Sequence, residues 1–250
     1  MDDEKESDLE KEKDGFEDEK KLEINKKQNN QLIFAVVLMV VVIVVIIATP
    51  FVRDNYVNKF EYNHLEFEKV KTGEVVMYHT KIPVVDSEMR ILPYEWIFRN
   101  DPRELELIPV ETPNKSISFL RQEMVYVSVE KEAPVCADNT LAIISILNFL
   151  DDFGNLNVDG AVADEEHANE TGHPYVTCET HPDNTVIMFK SGDESAIKMP
   201  KENCYEIHYK GCEVNDVTEK FIFTILKKYM NIFDENIKIA SSLDSEPLVI

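Results

Sequence analysis

The chain has 250 residues, 48 of them acidic and 26 basic, for a formal net charge of -22 at pH 7. Its length suits one ordinary domain rather than two large ones, and its acidity argues against a nucleic-acid surface, which needs a basic footprint along the phosphates. At 44% hydrophobic residues the chain as a whole is not a disordered acidic polymer.

Residues 1–30 hold twelve acidic residues and seven lysines, with Leu9, Phe16, Leu22 and Ile24 among few large apolar side chains. Such a segment buries too little surface to offset the entropy of ordering it, so a solvated acidic tail is expected. From Leu32 to Ala48 seventeen consecutive residues are apolar. At the helical rise these span about 25 Å, and about 31 Å if the segment reaches Val52, enough for one tilted crossing of a bilayer. Its valines and isoleucines favour strand in water, but a lone span must satisfy its own backbone, which only a helix does. A transmembrane helix in contact with the lipid bilayer is therefore predicted over 31–52. A cleaved leader has a shorter apolar core and a small-x-small site, so this segment reads as an uncleaved signal-anchor. Lys20, Lys21, Lys26 and Lys27 precede it and only Arg53 and Lys59 closely follow, which predicts a cytoplasmic N-terminus and an extracytoplasmic domain.

The remainder, 53–250, holds 36 acidic and 19 basic residues. A small β meander is expected over 53–115. Tyr62 to Lys69 and Glu74 to His79 alternate apolar and polar residues around the turn Val70-Lys71-Thr72-Gly73 and read as a hairpin. Met89 to Ile97 is extended, and Asn100-Asp101-Pro102 opens a short helix through Arg103 to Ile108 that stops before Pro109. An α+β core is expected over 116–239. Glu123 to Glu130 is a strand with Val125, Val127 and Val129 on one face. Asp138 or Asn139 caps a helix through Leu141, Ile144, Leu147 and Leu150, whose wide apolar arc requires cover on most sides. Thr185 to Phe189 and Cys204 to Tyr209 are strands, each followed by a glycine turn. Asp216 and Glu219 have capping-box spacing at the start of a helix carrying Val217, Phe221, Ile225 and Tyr229. Residues 240–250 are read as a flexible end. The fold class is α+β: one transmembrane helix, then a mixed or antiparallel sheet domain with helices on one face.

Cys136, Cys178, Cys204 and Cys212 all follow the span, and an outside location suits two disulfides. Three pairings are open; Cys178–Cys204 with Cys136–Cys212 is the first choice. Zinc is the alternative, with His167, His173 and His181 near Cys178 and with Cys204 and Cys212 as further thiolates, although the spacing matches no closed zinc module. Residues 155–166 partly fit an EF-hand loop, with Asn155, Asn157 and Asp159 at positions 1, 3 and 5, Gly160 at 6 and Glu166 at 12, a spacing whose oxygens could hold a calcium ion. Position 1 is Asn rather than Asp, and Gly172 and Pro174 leave little room for an exiting helix, so the expectation is no cofactor, with calcium as the alternative there beside the zinc set above. Asn114 and Asn169 begin glycosylation acceptor patterns. No catalytic set emerges: the serines lack a nucleophile elbow, paired carboxylates are expected at this acidity, and no glycine-rich nucleotide loop is present.

Tyr62 to Phe67, Asp101-Pro102-Arg103-Glu104-Leu105 with Ile108-Pro109-Val110, the Val125 to Val129 strand, Val176-Thr177-Cys178-Glu179 and Asn203-Cys204 together resemble parts of uncharacterised single-pass membrane-anchored surface proteins of small-genome archaea. The resemblance covers most of residues 60–232. It implies an outward-facing domain and a Cys178–Cys204 disulfide, and it implies no activity; the acidic tail and the 155–166 segment depart from it. The reading that follows is a membrane-anchored extracytoplasmic structural or protein-interaction domain, with a surface or membrane protein as partner. A membrane-tethered hydrolase acting on surface carbohydrate or peptide is the first alternative, and a calcium-dependent adhesion module the second.

Overall fold

A computed structural model describes residues 32–50, 52, 58–86, 88, 90–113, 116–119, 123–131, 134 and 136–243, with side chains to residue 236. The acidic tail, the last seven residues and Asn114 lie outside the described residues. The chain divides into two units, Met1–Asn58 and Lys59–Ile250.

In the first unit, α1 (Leu32–Pro50) has 19 residues with a mean hydropathy of 3.5 and exposes its whole apolar surface. Its backbone hydrogen bonds close within the helix, so the aliphatic side chains meet lipid without an unsatisfied peptide group. Thr49 Oγ1 donates back to the Val45 carbonyl, which hides the one hydroxyl near the end of the span.

The second unit begins with a four-stranded antiparallel sheet, β1 (Lys59–Tyr62), β2 (Leu65–Thr72), β3 (Val75–Val85) and β4 (Ile91–Phe98), in sequence order. The sequence reading took Tyr62 to Lys69 as one flank; the structure divides it. Asn63 and His64 both have positive φ (49° and 62°) and form a two-residue hairpin loop, the geometry that matches strand twist and that asparagine tolerates best after glycine. At the next turn Gly73 takes φ 65°. A 3-10 turn (Glu104–Leu107) follows β4. Asp101 opens it: one carboxylate oxygen accepts from the Arg103 backbone N–H at 3.0 Å, while its carbonyl accepts from Glu104.

The second sheet is mixed and six-stranded: β5 (Val110–Glu111), β6 (Val125–Val129), β7 (Val158–Val162), β8 (Thr185–Gly192), β9 (Ala196–Lys201) and β10 (Cys204–Lys210), in the order β5-β9-β10-β8-β6-β7. Neighbours β7-β6-β8-β10 are all parallel. Parallel strands need crossovers, and α2 (Asn139–Asn148), extended by a π turn (Phe149–Phe153), links β6 to β7. Gly154 ends that turn, where a Cβ would stand 2.5 Å from the Leu150 carbonyl oxygen. The return from β7 to β8 carries the short α3 (Glu165–Thr171), and α4 (Val214–Leu243) closes the fold.

The sheet's two faces bury different clusters. Val125, Val127, Ile187, Phe189, Tyr205, Ile207 and Tyr209 turn toward α2 and α4, whereas Val186, Met188 and Cys204 meet Val176 and Cys178 of the β7-to-β8 connection. Val186 to Phe189 are therefore buried on both sides, as an inner parallel strand requires. The same helices also receive the antiparallel sheet. Phe223 of α4 stacks on Tyr62 and touches Phe67 and Phe98, while Phe149 packs against Trp96. A helical layer thus lies between two sheets, and the central cluster joins all three layers.

Candidate functional site

The outward face of the antiparallel sheet is concave. The period-2 alternation that points Leu65 and Phe67 into the core points Glu66 and Glu68 the other way. Register then lines up the charged side chains: Glu61 stands opposite Glu66, Lys59 opposite Glu68, Glu68 opposite His79, and Lys81 opposite Glu95. These residues line a trough of about 650 Å³. It holds four carboxylates, two ammonium groups and one imidazole, of which Lys81 and Glu95 form an exposed ion pair at 3.3 Å. The Glu61–Glu66 pair is the telling feature, because like charges directly opposite on neighbouring strands destabilise a sheet. His79 also lies partly sunk in the floor, and its Nε2 is buried with no hydrogen-bond partner.

A second concavity, of about 480 Å³, runs between α4 and the segment from the 3-10 turn to Ser116. Lys220, Lys227 and Lys228 line it. Lys220 Nζ donates to Glu106 Oε2 at 2.9 Å, Lys227 Nζ to Glu106 Oε1 at 3.1 Å, and Lys228 Nζ to the Ile117 carbonyl at 3.1 Å. Partial burial pushes the Glu106 carboxyl up, but the hydrogen bonds and charges of the two lysines outweigh it and hold Glu106 at about 2.

Two polar groups inside the fold have structural roles. Glu219 is 5% exposed. Its carboxylate accepts from the backbone N–H groups of Arg99 (2.6 Å) and Asn100 (2.9 Å) and from Asn100 Nδ2 (3.0 Å), tying the end of β4 to α4. Burial pushes this carboxyl up to about 7, against the pull of those donors. The capping-box reading of Asp216 and Glu219 is thereby corrected: α4 begins at Val214, so both residues lie within it. On the far face of the mixed sheet, Glu206 accepts from Lys190 at 2.6 Å and lies 2.8 Å from His208 Nε2. Its burial raises the carboxyl, and Lys190 and His208 more than reverse that.

The four cysteines form two disulfides, Cys136–Cys212 and Cys178–Cys204, each with a Cα–Cα separation of 5.6 Å. The first links the entry to α2 with the entry to α4; the second pins the β7-to-β8 connection onto β10. The zinc alternative loses its thiolates to these bonds, and among the described residues no cluster of three His, Cys, Asp or Glu side chains can hold a metal ion.

The candidate calcium residues do not form a loop. Asn155 sits in the turn after the π segment with φ 48°, Asn157 immediately precedes β7, Asp159 lies within β7, and Glu166 lies in the first turn of α3. An extended strand carries its ends apart at about 3.3 Å per residue, so it cannot wrap a single ion. Asp159 instead accepts from the Gly160 backbone N–H, and Glu166 pairs with Lys131. Asn169, expected in a loop, is exposed on α3, where its Nδ2 donates to the Glu165 carbonyl at 3.0 Å.

Sequence reasoning missed both concavities. The trough had a legible signal, the alternating glutamates of Glu61, Glu66 and Glu68, but the register that opposes Glu61 to Glu66 depends on the glycine-free Asn63-His64 turn. The lysine cleft had none, since Glu106 and Lys220 are 114 residues apart in the chain. No known protein family, curated protein or solved structure matches the chain.

Proposed function

We propose that the protein is a single-pass anchor that holds an interaction domain on the outer side of the cell membrane, and that the acidic trough is the surface that meets its partner. The carrying observation is the trough itself: four carboxylates gathered on an open concave face, two of them opposed across a strand pair at a cost to stability. A surface selected for stability alone would not keep that pair, whereas one that binds a cationic segment gains from it. The matching partner is a protein segment bearing lysine or arginine.

The orientation rests on two supports. Lysines outnumber basic residues beyond the span on its N-terminal side, and two disulfides suit an oxidising compartment rather than a reduced cytoplasm. The resemblance to single-pass surface proteins of small-genome archaea agrees with both.

A membrane-tethered hydrolase is the second reading, and His79 beside Glu68 in the same trough is the observation that favours it. Interaction is preferred because His79 Nε2 has no hydrogen-bond partner, so no base is oriented there for proton transfer. One experiment tests the trough as the binding surface. A lysine-rich peptide is titrated onto the full chain in nanodiscs and compared with a variant carrying Glu61→Gln, Glu66→Gln, Glu68→Gln and Glu95→Gln. A control variant carries the same number of neutralised acids elsewhere: Asp159→Asn, Glu165→Gln, Glu170→Gln and Asp193→Asn. Loss of binding in the trough variant alone is expected. Equal weakening in both would reduce the effect to net charge and reject the trough as the site.

A further inference from the structure

We infer that the lysine-lined cleft along α4 is a second binding site, for a small organic oxyanion. Repulsion from a chain of net charge -22 works against anions everywhere except where cations are concentrated. Among the described residues that line this cleft, Glu106 and Glu235 are the acidic groups that Lys220, Lys227 and Lys228 face. The three lysines recur at i, i+7 and i+8, which places them on one face of α4.

The donors are not exhausted by the protein. Each ammonium has three N–H groups, and among the described residues one from each is used, by the two oxygens of Glu106 and by the Ile117 carbonyl. For Lys220, whose side chain is only 5% exposed, what remains must be met within the cleft rather than in bulk solvent. A buried ammonium in that state gains most from an added oxyanion. The rest of the lining suits an organic ligand: Ile108, Val110 and Phe223 give apolar contact for a carbon skeleton, and Asn231 offers amide donors and an acceptor. The volume of about 480 Å³ is in the range of small-ligand clefts. Glu106 occupies the position of a resident competitor, so an incoming carboxylate or phosphate would share or displace its contacts with Lys220 and Lys227.

The test uses the full chain in nanodiscs with glucuronate and glycerol 3-phosphate as carboxylate and phosphate probes. Glucose, glycerol and sodium chloride at matched ionic strength serve as controls. Thermal unfolding is followed through Trp96, the only tryptophan, which is partly buried and packs against Phe149 of the core. One or both oxyanions should raise the unfolding midpoint in a saturable way, and the controls should not. Which probe acts more strongly distinguishes a carboxylate from a phosphate ligand. Lys227→Gln, at a half-exposed position, should weaken the apparent affinity about tenfold, as expected for one charged hydrogen bond. Glu106→Gln removes the competitor and should tighten it, a gain that a purely structural latch would not give. No response to either anion, an equal response to chloride, or an affinity unchanged in both variants would overturn the inference.

Discussion

Glu219 and Glu66 show how single carboxylates divide between holding the fold and serving the surface. Glu219 is buried under three donors, and its carboxyl is pushed up to about 7, above the ordinary glutamate value of 4.5. Between those values the native state binds more proton than the unfolded chain, so the contribution of this group to stability is greatest below pH 4.5. It falls as pH rises toward 7, by on the order of 3 kcal/mol. Glu219→Gln should remove that slope from denaturant melts recorded between pH 4.5 and 7.5. It should also lower stability at acid pH by about 1–3 kcal/mol, because its amide group meets backbone donors. Glu106 has the opposite sign. Its carboxyl is held at about 2, so the link to Lys220 and Lys227 is intact above pH 4.5 and is lost as pH falls toward 2. Glu66 belongs to the trough. Glu66→Gln should stabilise the domain by about 0.5 kcal/mol, by relieving the repulsion from Glu61, while weakening binding of a lysine-rich peptide. A loss of stability would contradict the claim that this pair is kept for binding.

Among the elements, the β7-to-β8 connection depends most on a covalent link. It runs over the far face of the mixed sheet with few large side chains of its own, and Val176 and Cys178 seat it against Val186, Met188 and Cys204. The Cys178–Cys204 bond closes a sequence separation of 26 and Cys136–Cys212 one of 76. Chain-entropy arguments assign them about 3.5 and about 4.5 kcal/mol respectively. Replacing each pair by alanine should therefore lower the unfolding free energy more for Cys136–Cys212, and hydrogen exchange should show local opening of residues 172–184 when Cys178–Cys204 is removed. The first half of β3, the strands β4, β6, β8 and β10 and the cores of α2 and α4 were legible in the sequence, because their apolar residues repeat at a period of 2 or lie along a helical arc. A strand between α2 and β8 was expected from the element order, but its residues were not legible, since Asn155, Asn157, Asp159 and Gly160 imitate a cation loop, while the parallel pairing of Val158–Val162 with Val125–Val129 is a non-local contact. The start of α4 was misplaced for a similar reason. Asp216 and Glu219 have cap spacing, but a buried contact with Arg99 and Asn100, far away in the sequence, claims Glu219 instead.

At the scale of the whole molecule, the anchor and the folded unit separate between Asn58 and Lys59. The core is built from residues of the second unit alone, so residues 59–250 exported behind a cleavable leader should fold as a soluble domain with both disulfides. Its unfolding midpoint should lie within about 2 °C of that of the full chain, a shift corresponding to at most about 1 kcal/mol. A large drop would show that the anchor contributes to the fold. The central claim, a membrane-anchored domain that faces the outside, is tested most directly by non-reducing peptide mass spectrometry on intact membranes with free thiols blocked before lysis. The predicted result is two cross-linked peptide pairs, Cys136 with Cys212 and Cys178 with Cys204, and no alkylated cysteine. Four alkylated cysteines would contradict it and place the domain in the reducing cytoplasm.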